Sequence, residues 1–131
     1  MNAWLLGAAA LLGLIGLVHS VMGEQRIFGP WTARPPAGMP CIHRQILRGS
    51  WHLVTLLGLG QVGALVWLGL AAAADRPSPG LELALLACLA AGVLASGLLV
   101  MGITRGRHQG GAALVVVALL IGGGIAQAAA R

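Results

Sequence analysis

Four long apolar runs, nearly free of formal charge, limit the fold of this chain more sharply than any other feature. A bilayer's hydrocarbon core of about 30 Å needs about 20 helical residues at about 1.5 Å each. Residues 3–22 carry no formal charge. Residues 49–74 contain no Asp, Glu, Lys or Arg, and the second span is read as about 47–74. The third covers 81–104, with Glu82 in its first turn, where the helix dipole favours an anion. The fourth covers 111–130. The apolar residues stand in blocks, without the alternation of a strand or the stripe of a soluble amphipathic helix. The sequence therefore predicts an all-α, polytopic membrane four-helix bundle, built as a single transmembrane domain over residues 1–131.

Composition adds exclusions. With 58% hydrophobic and 8% charged residues, a soluble globular enzyme, a disordered chain and a disulfide-stapled secreted module are ruled out. Eight Arg face only Glu24, Asp75 and Glu82, for a net charge of +5. The Arg are scattered between apolar runs and make no continuous basic stripe, so no nucleic-acid partner is expected. Cys41 and Cys88 are too few and too far apart for a disulfide framework, and two free thiols are expected. The first run has no basic segment before it and no small-x-small site after it, so it reads as a retained helix and not as a signal peptide.

The Arg explain themselves as topology signals. Arg26, Arg34, Arg44, Arg48, Arg105 and Arg107 fall on one side of four spans, and Arg76 and Arg131 on the other. An excess of Arg in short loops marks the cytoplasm. The expected orientation has both termini periplasmic and the 23–46 loop cytoplasmic, in a bacterial inner membrane. Trp4 and Trp67 then approach the outer interface, and Trp31 and Trp51 the inner one. The 23–46 loop carries Pro30, Pro35, Pro36 and Pro40 and reads as an interfacial segment on the headgroups.

Small residues four apart allow helices to approach closely in lipid. Ala84, Cys88, Gly92 and Ser96 in the third span and Ala118, Gly122 and Ala126 in the fourth predict a tight hairpin through Gly92 and Gly122. On this reading, Gly92→Leu disrupts assembly more than Gly69→Leu. Gly58-Leu59-Gly60-Gln61-Val62-Gly63 spells a dinucleotide fingerprint. It lies inside an apolar span, without the strand before it that such a site requires, and reads as helix-packing glycine.

All four His lie on the Arg-rich side. Arg48, His52 and Thr55 fall at i, i+4 and i+7, one face of the second helix. Ser20 and Glu24 share a face of the first, and Gly23 reads as the residue that ends it. Glu24 is the one acid on that side. It is expected to pair with Arg48, with Arg26 as the next choice. His19, Glu24, Arg48 and His52 form the candidate polar cluster, since ionisable residues in spans usually face the bundle and pair.

The pattern His19-Ser20-x-x-Gly23-Glu24, a proline-bearing loop, then Arg48-x-x-Trp51-His52 resembles a group of small four-helix bacterial inner-membrane proteins of uncharacterised activity. The resemblance covers about the first half of the chain. It implies fold and location and transfers no functional residue. Other four-helix families fit less well. There is no C-x-x-C of the disulfide-forming quinone reductases and no mid-helix carboxylate of the small multidrug exporters.

Three functions follow for the cluster. The first is an accessory or scaffolding subunit, a homo-oligomer or part of a larger membrane complex, in which the cluster is a structural clasp. The second is a redox protein in which His19 and His52 ligate b-type haem or a metal. The third is a lipid, quinone or small-anion binding protein, with Arg48 binding and a His handling protons. No catalytic set is spelled out, which weighs against an enzyme.

Overall fold

Asn2 starts the first helix and ties it to two others. Its Oδ1 accepts from the Leu5 N–H at 3.3 Å, and its Nδ2 donates to the Gly124 carbonyl at 3.1 Å. Its own N–H donates to the Gly69 carbonyl at 2.8 Å. In the computed structural model, which describes residues 1–72 and 75–130, helix α1 spans Ala3–Gly23. It runs through one π turn, Glu24–Phe28, into the short α2, Gly29–Ala33. Helices α3 (Cys41–Leu70), α4 (Pro79–Thr104) and α5 (Gln109–Ala129) follow, and no strand occurs among the described residues. The stretches Ala3–Ala33, Cys41–Leu70, Pro79–Thr104 and Gln109–Ala129 are each long and apolar enough to cross a membrane. The expected all-α four-helix architecture is the one found.

The first connection differs from expectation. Most of the segment read as an irregular interfacial loop is helical, and only residues 34–40 separate α2 from α3. Pro30 has no N–H to give, yet the helix passes it. The π turn shifts the register, so the Gly29 N–H bonds to the Glu24 carbonyl five residues back. Pro30 then falls in the first turn of α2, where a missing donor costs little. A Cβ at position 29 would stand 2.8 Å from the Glu24 carbonyl oxygen, so this turn needs glycine. Gly23 does not end the helix. It is helical, with φ of −58°. The expected end of the second span at 73–74, and Arg131 on the termini side, lie outside the described residues.

Helix α1 is central. It packs on α3 on one side and α5 on the other, and α5 packs on α4. The buried core gathers near the end that holds Asn2: Leu5, Ala8 and Leu12 of α1, Leu65 and Leu68 of α3, Leu86 of α4, and Val117 and Ile121 of α5. Polar contacts lock the same end. Arg76 pairs with Glu82 at 2.5 Å and donates to the carbonyls of Leu68 and Ala71, at 2.9 and 3.3 Å. Glu82 thus has a buried cation as well as the helix dipole.

Helices α4 and α5 form the most extensive pair, as the sequence predicts, but the seam lies elsewhere. A Cβ on Gly97 would stand 2.9 Å from the Gly111 carbonyl oxygen, and one on Gly111 would stand 3.0 Å from that of Gly97. Cβ atoms on Gly92 and Gly122 would meet nothing within 4 Å. Ala84, Cys88, Gly92 and Ser96 all lie on the exposed face, as do Gly122 and Ala126. The cause is the turn between the helices. Arg105 and Gly106 take left-handed φ of 52° and 73°, and the Gly106 N–H caps the Met101 carbonyl. So short a reversal brings the helix ends together at Gly97 and Gly111. The Glu82, Leu86, Val93 and Gly97 face of α4 is the one turned inward. The glycines of the false fingerprint, Gly58, Gly60 and Gly63, have open space where a Cβ would stand, so no close helix approach among the described residues depends on them. Cys41 and Cys88 are free thiols.

Candidate functional site

The end away from Asn2 is held by side chains. Ser20 in the last turn of α1 and Glu24 at the start of the π turn project toward Arg48, His52 and Thr55 on α3. Arg48 meets Glu24 in a two-point fork, Nε to Oε1 at 2.8 Å and Nη2 to Oε2 at 2.7 Å. This is the geometry in which guanidinium–carboxylate pairs are strongest. His52 Nε2 lies 2.6 Å from Glu24 Oε1, and its Nδ1 lies 3.0 Å from Ser20 Oγ. Ser20 Oγ also donates to Thr55 Oγ1 at 3.1 Å. A continuous polar chain therefore runs Thr55–Ser20–His52–Glu24–Arg48 across the α1–α3 contact.

Aromatic rings back it. The His19 ring stacks on Trp51 with centroids 4.0 Å apart and planes 7° apart. The Trp51 indole N–H donates to the His19 carbonyl at 3.0 Å. Gly23 makes this possible, because a Cβ there would overlap the indole. The role of Gly23 is close approach, not termination. Phe28 sets its edge against Trp31 at 5.4 Å and Trp51 at 5.7 Å.

Three of the four cluster residues, Glu24, Arg48 and His52, thus meet directly, and the partner of Glu24 is Arg48. His19 stands apart, joined through Trp51. Both nitrogens of His52 are engaged, so it offers none to haem iron or a metal while the clasp holds. Among the described residues no three His, Cys, Asp or Glu gather closely enough to hold a metal ion. Sequence reasoning placed Ser20 and Thr55 on the right faces but not in contact. It took Trp51 for an interfacial anchor only. The spacing of Gly23 from His19 was the available signal that a bulky ring passes there.

Beside the clasp the bundle opens. A cavity of about 1170 Å³ is bounded by α1, α3, α4 and α5. Its walls include Leu12, Ile15, Val54, Leu57, Val93 and Leu114, with Gln61 among them. Arg26, Arg107, His19 and His108 also line it, and no acid among the described residues does. His108 holds its place by accepting the Gly110 N–H at 3.1 Å, which caps α5. On α3 the lining runs from Trp51 to Gln61. Ten helical residues rise about 15 Å, half of a bilayer core of about 30 Å. Along α1 and the π turn the lining runs farther, from Leu11 to Ile27, and the cavity is open on one side.

Four membrane-length apolar helices, most of whose large apolar side chains face outward, define a multi-pass helical membrane protein. The chain matches no known protein family, curated protein or solved structure.

Proposed function

We propose that this protein binds an anionic amphiphile of the membrane, with its tail in the apolar cavity and its headgroup against Arg26 and Arg107. The observation that carries this is the lining: apolar walls, two arginines and two histidines, and no carboxylate. The expected anion-binding role of Arg48 passes to Arg26 and Arg107, because Glu24 already neutralises Arg48. The volume exceeds the usual range of about 300–1,000 Å³ for small-molecule pockets, which suits a long tail. The Arg-rich end faces the cytoplasm of a bacterial inner membrane and the termini face the periplasm. Six Arg support that orientation, and the Arg76 opposite them is ion-paired.

The test uses Trp51, which lines the cavity, as donor to a pyrene-labelled phosphatidylglycerol, with the pyrene-labelled phosphatidylcholine of equal chains as reference. Each Arg near an anionic lipid contributes about 1 kcal/mol, so two give about 2 kcal/mol, roughly thirtyfold in affinity. The preference for the anionic probe should collapse in Arg26→Gln/Arg107→Gln. Equal affinity of the two probes for the wild type refutes the reading.

A second reading, the oligomeric scaffold, is favoured by one observation. The small residues Ala84, Cys88 and Gly92 are exposed, open to a second helix, while Ser96 lines the large cavity. Oxidation of Cys41→Ser protein in membranes should then yield a Cys88-linked dimer. Monomer alone counts against this face.

A further inference from the structure

The charged end of the large cavity is specific in amount as well as in sign. Its lining holds two guanidinium groups, Arg26 and Arg107, and neither pairs with a carboxylate among the described residues. Two positive charges therefore stand unanswered there before either His is counted. Resting on the amphiphile reading above, we propose that the headgroup is a phosphate monoester, a dianion, in preference to the singly charged phosphodiester of most phospholipids.

Three observations carry it. The first is charge. A phosphate monoester carries about −1.5 to −2 near neutral pH, because its second pKa is about 6. A phosphodiester carries a single charge and leaves one of the two guanidinium groups unanswered. The second is the supply of donors. A monoester presents three acceptor oxygens, one more than a diester has free. His108 Nδ1 accepts the Gly110 N–H at 3.1 Å, so the proton of the neutral ring sits on Nε2 and this side chain remains a donor. The His19 ring is held by its stack on Trp51, and neither of its nitrogens is hydrogen-bonded among the described residues. Two guanidinium groups take two oxygens by charge-assisted bonds, and the imidazoles are at hand for the third. The third is the wall. Leu12, Ile15, Val93 and Leu114 offer a free ion nothing, and about 1170 Å³ is space for acyl chains. The ligand is therefore a lipid that ends in a phosphate, not inorganic phosphate.

The full-length chain in maltoside micelles, at about pH 8 and so above that second pKa, is titrated with three pyrene-labelled lipids of equal chains. They are phosphatidic acid, the monoester, then phosphatidylglycerol, the diester, and phosphatidylcholine. Energy transfer from Trp51 reads binding. Phosphatidic acid should bind about fivefold more tightly than phosphatidylglycerol, the factor that one further charge beside arginine supplies. Arg107→Gln leaves one cation for one charge and should erase that difference. Arg26→Gln should do the same and serves if the first variant does not fold. His108→Asn keeps an acceptor for the Gly110 N–H but removes the ring donor, and it should narrow the difference. Arg34→Gln, a cation on the same side that lines no part of the cavity, should leave the ratio at its wild-type value. Inorganic phosphate at the concentration of the lipid should not displace the probe. If phosphatidic acid and phosphatidylglycerol bind alike and both exceed phosphatidylcholine, the monoester is wrong and the anionic amphiphile stands. If all three bind alike, both readings fall. Displacement by inorganic phosphate, or a preference for phosphatidic acid that survives both arginine variants, also overturns the proposal.

Discussion

Alanine at Gly97 and alanine at Gly92 measure where α4 meets α5. Both changes replace glycine inside the same helix, where alanine is favoured by about 0.5–1 kcal/mol. That gain is common to both and cancels when the variants are compared. Space is what differs. A Cβ on Gly92 meets nothing within 4 Å. A Cβ on Gly97 stands 2.9 Å from the Gly111 carbonyl oxygen, 3.1 Å from Leu114 Cβ and 3.2 Å from Val115 Cγ2. The first two atoms move only if α5 moves. Carbon contacts relax at about 3.5–4.0 Å, so the helices must part by roughly half an ångström. A gap of that size forfeits about a quarter of each neighbouring contact, and overpacking in general costs about 1–3 kcal/mol.

Gly97→Ala is therefore expected to be less stable than Gly92→Ala by about 1–3 kcal/mol. Gly92→Ala should match or exceed the wild type. Unfolding by sodium dodecyl sulfate in mixed micelles, followed by helix content, reads both. A difference within about 0.5 kcal/mol, the range of changes at unconstrained positions, refutes the Gly97–Gly111 seam. The same logic reverses the order expected from small-residue spacing. A Cβ on Gly69 would stand 2.8 Å from Leu6 Cδ2 and one on Gly92 would meet nothing within 4 Å, so Gly69→Leu is expected to be the more damaging leucine.

Other outcomes follow from the two locked ends. Glu82→Gln leaves Arg76 charged and buried and should cost about 3–5 kcal/mol in the same unfolding assay, whereas Arg76→Met/Glu82→Leu should recover most of that loss. Gly23→Ala should displace the indole of Trp51 and shift tryptophan emission, while Gly49→Ala, with open space around it, should leave the emission unchanged. Glu24→Gln removes the fork to Arg48, and hydrogen exchange should quicken at the π turn and α2 while the core near Asn2 keeps its protection.

The spans were legible because lipid demands length and low charge, and both are written in the residues. Helix faces were legible where polar residues are scarce. With one acid among six Arg, Glu24 had few partners, and helical spacing put Arg48, His52 and Thr55 on one side. Faces were illegible where small residues are common. Alanine and glycine recur so often that four-residue spacing marks several stripes, and Ala84–Cys88–Gly92–Ser96 has no advantage over the true seam at Gly97. That seam is set by the turn at Arg105 and Gly106, a three-dimensional constraint that spacing does not carry. The 23–46 segment misled for a related reason. Four prolines signal a loop, but one π turn and one glycine, Gly29, carry the helix past Pro30.

Where the three acids stand decides what the arginines can do. Glu82 cancels Arg76 at the end closed by Asn2, and Glu24 cancels Arg48 at the other. Asp75 pairs with none of the described cations. Arg26, Arg34, Arg44, Arg105 and Arg107 are left without a carboxylate among the described residues, all on the Arg-rich side. Arg26 and Arg107 line the large cavity, and Arg44 lines a small recess between α2 and α3. A structural clasp needs one cation for one anion, and Arg48 alone meets that need. The surplus is larger than the clasp requires, and three of its members stand in concave sites. Topology selection accounts for positive charge in loops but is indifferent to whether the side chains line cavities. The anionic amphiphile we propose would account for both, and on that proposal binding falls at the end of the bundle that holds the apolar cavity and the arginines without a carboxylate.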